Sequence, residues 1–116
     1  MTMRTNTLKR NFAWSTDKGA SFSAPTNKPF PYDYAGGQCE STMLALPGPT
    51  RPLLLSTPFS QYDKNTSTNP GALVPPRANG TLFISRDNGH NWEFYRSVLS
   101  NGLNVGFGYS AMTVIK

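Results

Sequence analysis

Ser85-Arg86-Asp87-Asn88-Gly89-His90-Asn91-Trp92 spells Ser-x-Asp-x-Gly-x-x-Trp, and Ser15-Thr16-Asp17-Lys18-Gly19-Ala20-Ser21-Phe22 repeats it with Phe in the last place. Four fixed positions at average residue frequencies match by chance at roughly one start in a hundred thousand. Two matches within 116 residues are therefore not an accident. An Asp early in a tight turn accepts hydrogen bonds from nearby backbone N–H groups, and Gly supplies a position with φ > 0. The aromatic residue three places after the Gly is then expected to drop into the core at the start of the returning strand. Each copy predicts a β-hairpin closed by a stereotyped turn, and a repeated hairpin turn marks a repeat architecture.

Working outward, Lys9 to Ser15 reads as a strand entering the first motif, and Phe22-Ser23 begins its return. Ala24 to Gly37 is a loop rich in Pro, Gly and Tyr. Gln38 to Leu46 alternates as a strand does, with Thr42, Leu44 and Leu46 against Met43 and Ala45. Pro47-Gly48-Pro49 is a turn, and Pro52 to Thr57 carries Leu53-Leu54-Leu55 as a buried strand. Pro58 to Pro76 is a long loop of the kind that is often functional, with Tyr62 among the residues able to rim a pocket. Thr81 to Ser85 is a strand into the second motif, Trp92 to Val98 its return, and Tyr109 to Ile115 a last apolar strand.

Gln38 to Val98 thus predicts four strands in up-and-down order, which is the plan of one propeller blade. Residues 1–37 would supply the end of the preceding blade and residues 99–116 the start of the next. One blade and two part-blades cannot close a propeller, which typically needs 4–8. The pattern predicts an all-β piece of a longer protein, and a monodisperse, cooperatively folding 116-residue monomer would contradict that.

Composition agrees with a turn-rich β protein: hydrophobic residues make up 37%, charged residues 15%, with 10 Gly and 10 Pro. No apolar run approaches the ~20 residues of a membrane-spanning helix, and Met1 to Phe12 is polar and basic rather than a signal peptide. Net charge is +5 and pI about 9.7. The Lys and Arg residues are scattered from Arg4 to Lys116, with only Lys9-Arg10 adjacent, which argues against a nucleic-acid partner. A basic surface also suits an acidic substrate. Cys39 is alone, which excludes an intrachain disulfide and suggests a small buried apolar residue. His90 is also alone, so no metal site is expected.

The two motifs resemble the Asp-boxes of the sialidase (neuraminidase) superfamily, also called BNR repeats, where they are structural and lie away from the active face. Ser15, Asp17, Gly19 and Phe22, with Ser85, Asp87, Gly89 and Trp92, are then structural residues. A sharper resemblance lies between the boxes. Gln38-Cys39-Glu40-Ser41-Thr42 through Pro47-Gly48 is similar to the family strand opened by a glutamate that partners the nucleophilic tyrosine. Leu53 to Pro58, followed by Arg77-Ala78-Asn79-Gly80 and the strand into the second box, resembles a stretch whose arginine is one of three that clamp the sialic acid carboxylate. Gly108-Tyr109-Ser110 is similar to a Tyr-Ser pair opening the next blade, where the tyrosine lines the pocket. The resemblance covers Lys9 to Ile115. It implies a fragment of a six-bladed exo-α-sialidase propeller that hydrolyses terminal sialic acids, with Glu40 catalytic, Arg77 and Tyr109 substrate-binding, and no cofactor or metal.

Each residue also has a plainer reading. Arg77 could be a solvated loop cation, although a guanidinium grips a carboxylate through two parallel hydrogen bonds. Glu40 could pair with a surface Lys, although a carboxylate at the start of an inner strand can take a proton from a phenol of ordinary pKa near 10. Tyr109 could be a core aromatic. Sialidases use a tyrosine nucleophile instead of the second carboxylate of most glycosidases. That tyrosine, the acid/base aspartate and the other two arginines are expected outside this chain, and Tyr109 is not the nucleophile. The implied partners are sialylated glycoproteins, gangliosides and oligosaccharides. Asn65-Thr66-Ser67 and Asn79-Gly80-Thr81 fit the N-glycosylation pattern and lean toward a secretory, lysosomal or membrane-associated location. The rivals are a non-catalytic Asp-box propeller binding glycans or proteins, and a glycosidase for another sugar.

Overall fold

A computed structural model describes residues 1–3, 10–27, 40–59, 80–98 and 107–115. Among them the chain is all-β, without a helix, in two antiparallel sheets. The first pairs β1 (Thr2–Met3) with β2 (Asn11–Phe12). The second runs β3 (Thr42–Ala45), β4 (Leu53–Pro58), β5 (Gly80–Ser85) and β6 (Glu93–Ser97), each beside its neighbour in chain order. The strands expected from 38, 52, 81 and 92 are therefore present, with ends that coincide or shift by up to four residues.

The two middle strands, β4 and β5, hold most of the buried positions, whereas β6 is exposed along its whole length. The β3–β4 turn closes through Leu46 N donating to the Pro52 carbonyl at 2.8 Å, with Gly48 at φ 114°. Met43, Leu55 and Phe83 are in register and share one face of the sheet. On that face Leu55 and Phe83 join Phe12 and Trp92 in the core, with Trp14, Leu53 and Phe59 packed around them. Burying each such side chain is worth roughly 1.5–3 kcal/mol. The contact joins the sheets: Phe12 of β2 stacks on Trp92 at 5.7 Å between ring centres.

The sequence repeat is also a structural one. Leu82 of β5 faces Arg96 of β6, while Ile84 faces Glu93, so the register shifts by one residue between them. Seventy positions earlier Phe12 faces Thr26, while Ser23 N donates to the Trp14 carbonyl at 2.8 Å, which is the same shift. Tyr95 is the extra residue of the bulge in β6, and Pro25 stands at the matching place of the first hairpin. A bulge position owes no N–H to the ladder, so it accepts proline.

Three expectations are corrected. Tyr109 to Ile115 is not a strand: residues 107–115 carry no ladder. Alternating apolar residues favour a strand only when a neighbour pairs with them, and here Ile115 is 90% exposed. Phe22 does not enter the core, being 46% exposed, because no described element packs over it. The strand expected from Gln38 begins at Thr42, leaving Glu40 just outside it. Lys9, Cys39, Tyr62, Asn65, Arg77 and Asn79 lie outside the described residues.

Candidate functional site

The four-stranded sheet has two chemically different ends. At one, Ala45, Leu53 and Ser85 are in register and the second box closes the β5–β6 hairpin. At the other, Thr42 aligns with Ser56 and Leu82, and Thr57 aligns with Thr81. Six residues of β5 separate the ends by roughly 17 Å.

The boxes are built from backbone donors. Ser85 Oγ donates to Asp87 Oδ1 at 2.8 Å and accepts from Gly89 N at 2.8 Å. Asp87 then receives Asn91 N on Oδ1 at 2.8 Å and Asn91 Nδ2 on Oδ2 at 2.6 Å. The first box repeats this: Ser15 Oγ to Asp17 Oδ1 at 2.7 Å, Gly19 N to Ser15 Oγ at 2.7 Å, and Ser21 N to Asp17 Oδ1 at 2.9 Å. Residues 18 and 19 have φ of 59° and 95°, and residues 88 and 89 have 58° and 85°. Two successive positive φ values, closed by Ala20 N to the Asp17 carbonyl and His90 N to the Asp87 carbonyl, both 3.3 Å, match the hairpin turn that follows right-handed strand twist.

These bonds hold the carboxylates ionised. Asp87 is lowered to about 2, first by the Asn91 side chain, then by the Asn91 N–H and the Ser85 hydroxyl. Asp17 lies further below the ordinary carboxylate range, chiefly through the Ser21 and Ser15 hydroxyls. A carboxylate whose lone pairs are taken by its own turn is a poor proton shuttle.

The opposite end gathers two of the three proposed site residues. Glu40 is exposed, two positions before β3, and forms no ion pair among the described residues. Tyr109 is 61% exposed, so it is not the core aromatic of the plainer reading. Its neighbour Ser110 is tied to the sheet. Ser110 Oγ donates to Ser56 Oγ at 2.9 Å, and Thr42 Oγ1 donates to the Ser110 carbonyl. Phe107 lies over Gly80, where an added Cβ would run into its ring. Residues 107–110 thus dock on the sheet face that carries Thr42 and Ser56, opposite to the face on which Phe12 packs. Arg77 falls outside the described residues, three positions before β5.

One charged residue at this end was not singled out from the sequence. Arg10 is 2% exposed, and its Nη2 reaches Thr57 Oγ1 at 3.4 Å. The signal was in the repeat: Arg10 stands five positions before Ser15 as Gly80 stands five before Ser85, which places it at the end of its hairpin away from the box.

Comparison with protein-family models, with curated proteins and with solved structures finds no match to this chain. Among the described residues no three His, Cys, Asp or Glu side chains gather to hold a metal, and no helix is long and apolar enough to cross a membrane. What the arrangement offers chemically is an exposed carboxylate and an exposed phenol at the sheet end away from the boxes, on a basic chain.

Proposed function

We propose that this chain is part of an exo-α-sialidase, one blade and two part-blades of a six-bladed propeller, and that it is inactive alone. Hydrolysis of terminal sialic acids from glycoconjugates is the reaction. Glu40 takes the proton of a tyrosine nucleophile supplied by another blade, Arg77 grips the substrate carboxylate, and Tyr109 lines the pocket. A neutral phenol avoids setting a bare carboxylate against the substrate's own negative charge, where like charges repel.

The observation that carries the reading is the division of the sheet. The second Asp-box turns at one end, where Trp14 beside the first box packs on it, while Glu40 and the Tyr109–Ser110 segment meet the sheet at the other. Phe12 of the first sheet packs on one face of the four-stranded sheet, at Leu55, Phe83 and Trp92, and residues 107–110 touch the other face, which fits a middle blade flanked on both sides. The test is sialoside hydrolysis by the whole gene product beside its Glu40→Gln and Arg77→Ala variants. Loss of more than about a hundredfold in kcat for Glu40→Gln, and a raised KM for Arg77→Ala, are expected. Unchanged activity in both variants overturns the site. A wild type that binds sialosides without cleaving them points to a non-catalytic glycan-binding propeller.

A further inference from the structure

The segment from Phe107 to Ser110 has no ladder of its own, yet it must hold Tyr109 in a fixed place if that ring is to line a pocket. Two hydroxyl contacts and one ring do this work. Thr42 and Ser56 are cross-strand partners on β3 and β4, so their hydroxyls sit side by side on one face. Thr42 Oγ1 donates to the carbonyl of Ser110, and Ser110 Oγ donates to Ser56 Oγ at 2.9 Å. Ser56 is 2% exposed, so its oxygen is removed from water and is satisfied by Ser110. Losing a partner of a buried group costs more than losing an exposed one.

The same pair also bears on Glu40, which lies two residues before Thr42 at the free end of β3. Among the described residues strand β3 is an edge of the sheet, four residues long and paired on one side only. The Ser110 carbonyl, by accepting from Thr42, ties that edge to the incoming segment. We propose that Thr42, Ser56 and Ser110 form a positioning clip that fixes Tyr109 and the Glu40 end of β3 relative to each other. None of the three is a catalytic residue. The inference rests on the functional reading above for what the clip serves, though not for whether the clip exists.

Ser56→Ala and Ser110→Ala in the whole gene product test it, with Ser110→Thr as the variant that keeps the hydroxyl. Ser110 is only half-buried, so its alanine variant remains informative if Ser56→Ala fails to fold. Amide hydrogen exchange is measured first. The clip predicts exchange at least about tenfold faster in residues 107–112 of the alanine variants, with β4 and β5 as protected as in the wild type. Equal exchange in that segment overturns the clip whatever the enzyme does. Sialoside kinetics then test the positioning role: kcat/KM should fall at least about tenfold, with kcat lowered because the Glu40 end of β3 is released, and Ser110→Thr should restore it. No change in kcat/KM, or a loss that Ser110→Thr does not restore, overturns the positioning role. Absence of hydrolysis by the wild type overturns the functional reading alone and leaves the clip to be judged by exchange.

Discussion

In the first box Phe22 leaves 46% of its surface open, and in the second Trp92 leaves 2%. The hydrogen bonds of the two turns agree to about a tenth of an ångström, so the difference does not come from the turns. It comes from what lies outside them. The second box has Phe12 and Trp14 packed on it: Phe12 stacks on Trp92, Trp14 lies parallel to His90 at 5.1 Å, and Trp14 Nε1 donates to the Asn88 carbonyl at 3.0 Å. Trp92 also donates its own Nε1 to the Gly89 carbonyl at 3.2 Å, a bond that Phe22 has no N–H to make. The first box has no described neighbour in the place that Phe12 and Trp14 take for the second. A box is thus a self-contained turn whose aromatic becomes core only when the preceding sheet arrives.

That contrast can be broken most easily at the aromatics. Trp92→Ala should cost about 3–5 kcal/mol of stability, the usual loss for a buried large aromatic, against less than about 1 kcal/mol for Phe22→Ala at an exposed position. Denaturant midpoints of the two variants decide it. Equal losses would mean that Phe22 is covered in the folded protein.

The glycines should behave alike. Gly19 and Gly89 both sit at positive φ, and neither meets an obstacle: nothing lies within 4 Å of a Cβ on Gly19, and the nearest atoms to one on Gly89 are at 3.7 Å. Alanine at either therefore costs only the backbone strain of about 1–2 kcal/mol. A much larger loss at Gly89, measured by thermal unfolding, would show that the packed box tolerates less than its geometry indicates.

Acid separates the boxes by charge. Both aspartates titrate below the ordinary carboxylate value of 3.8. Their folded-state pKa values are depressed, so they contribute stability that is fully present above that value. It is lost as pH falls, through about 2 for Asp87 and lower for Asp17. Urea midpoints followed from pH 5 downward, a range set by these shifts, should fall less steeply in Asp87→Asn and Asp17→Asn. Slopes equal to the wild type would remove the turn carboxylates from the account.

The smallest effect lies at the residue before each Gly. Lys18 and Asn88 have nearly the same φ, 59° and 58°, but Asn tolerates this region better than Lys. Lys18→Asn should stabilise the first hairpin by roughly 0.5 kcal/mol, with no matching gain available in the second.

The hairpins were legible because everything that makes them is inside eight residues: a hydroxyl, a carboxylate, a positive-φ pair and a following strand. The order β3 to β6 was legible because Pro47-Gly48-Pro49 and the second box punctuate it. Phe22 was misread because burial depends on a distant partner, and no local pattern reports whether one is there. Residues 109–115 were misread as a strand because apolar alternation does not say which edge will accept it. At the candidate site, Glu40 and Tyr109 were found through resemblance. The docking of the Tyr109–Ser110 segment beside the start of β3 runs through Thr42, Ser56 and Ser110, up to 68 residues apart, and small hydroxyls carry no signal in a single sequence. Arg10 is hard to read for a different reason: a charged residue beside a strand is expected at the surface, and only the repeat offset marks it as placed.

The central claim is that the two ends of the sheet divide structure from chemistry. It is tested most directly by kcat/KM for a sialoside, per folded molecule of the whole gene product, in Glu40→Gln beside Asp87→Asn. The account predicts a loss of more than about a hundredfold for Glu40→Gln and a value within about twofold of the wild type for Asp87→Asn. Loss of activity in folded Asp87→Asn with Glu40→Gln unaffected would contradict it.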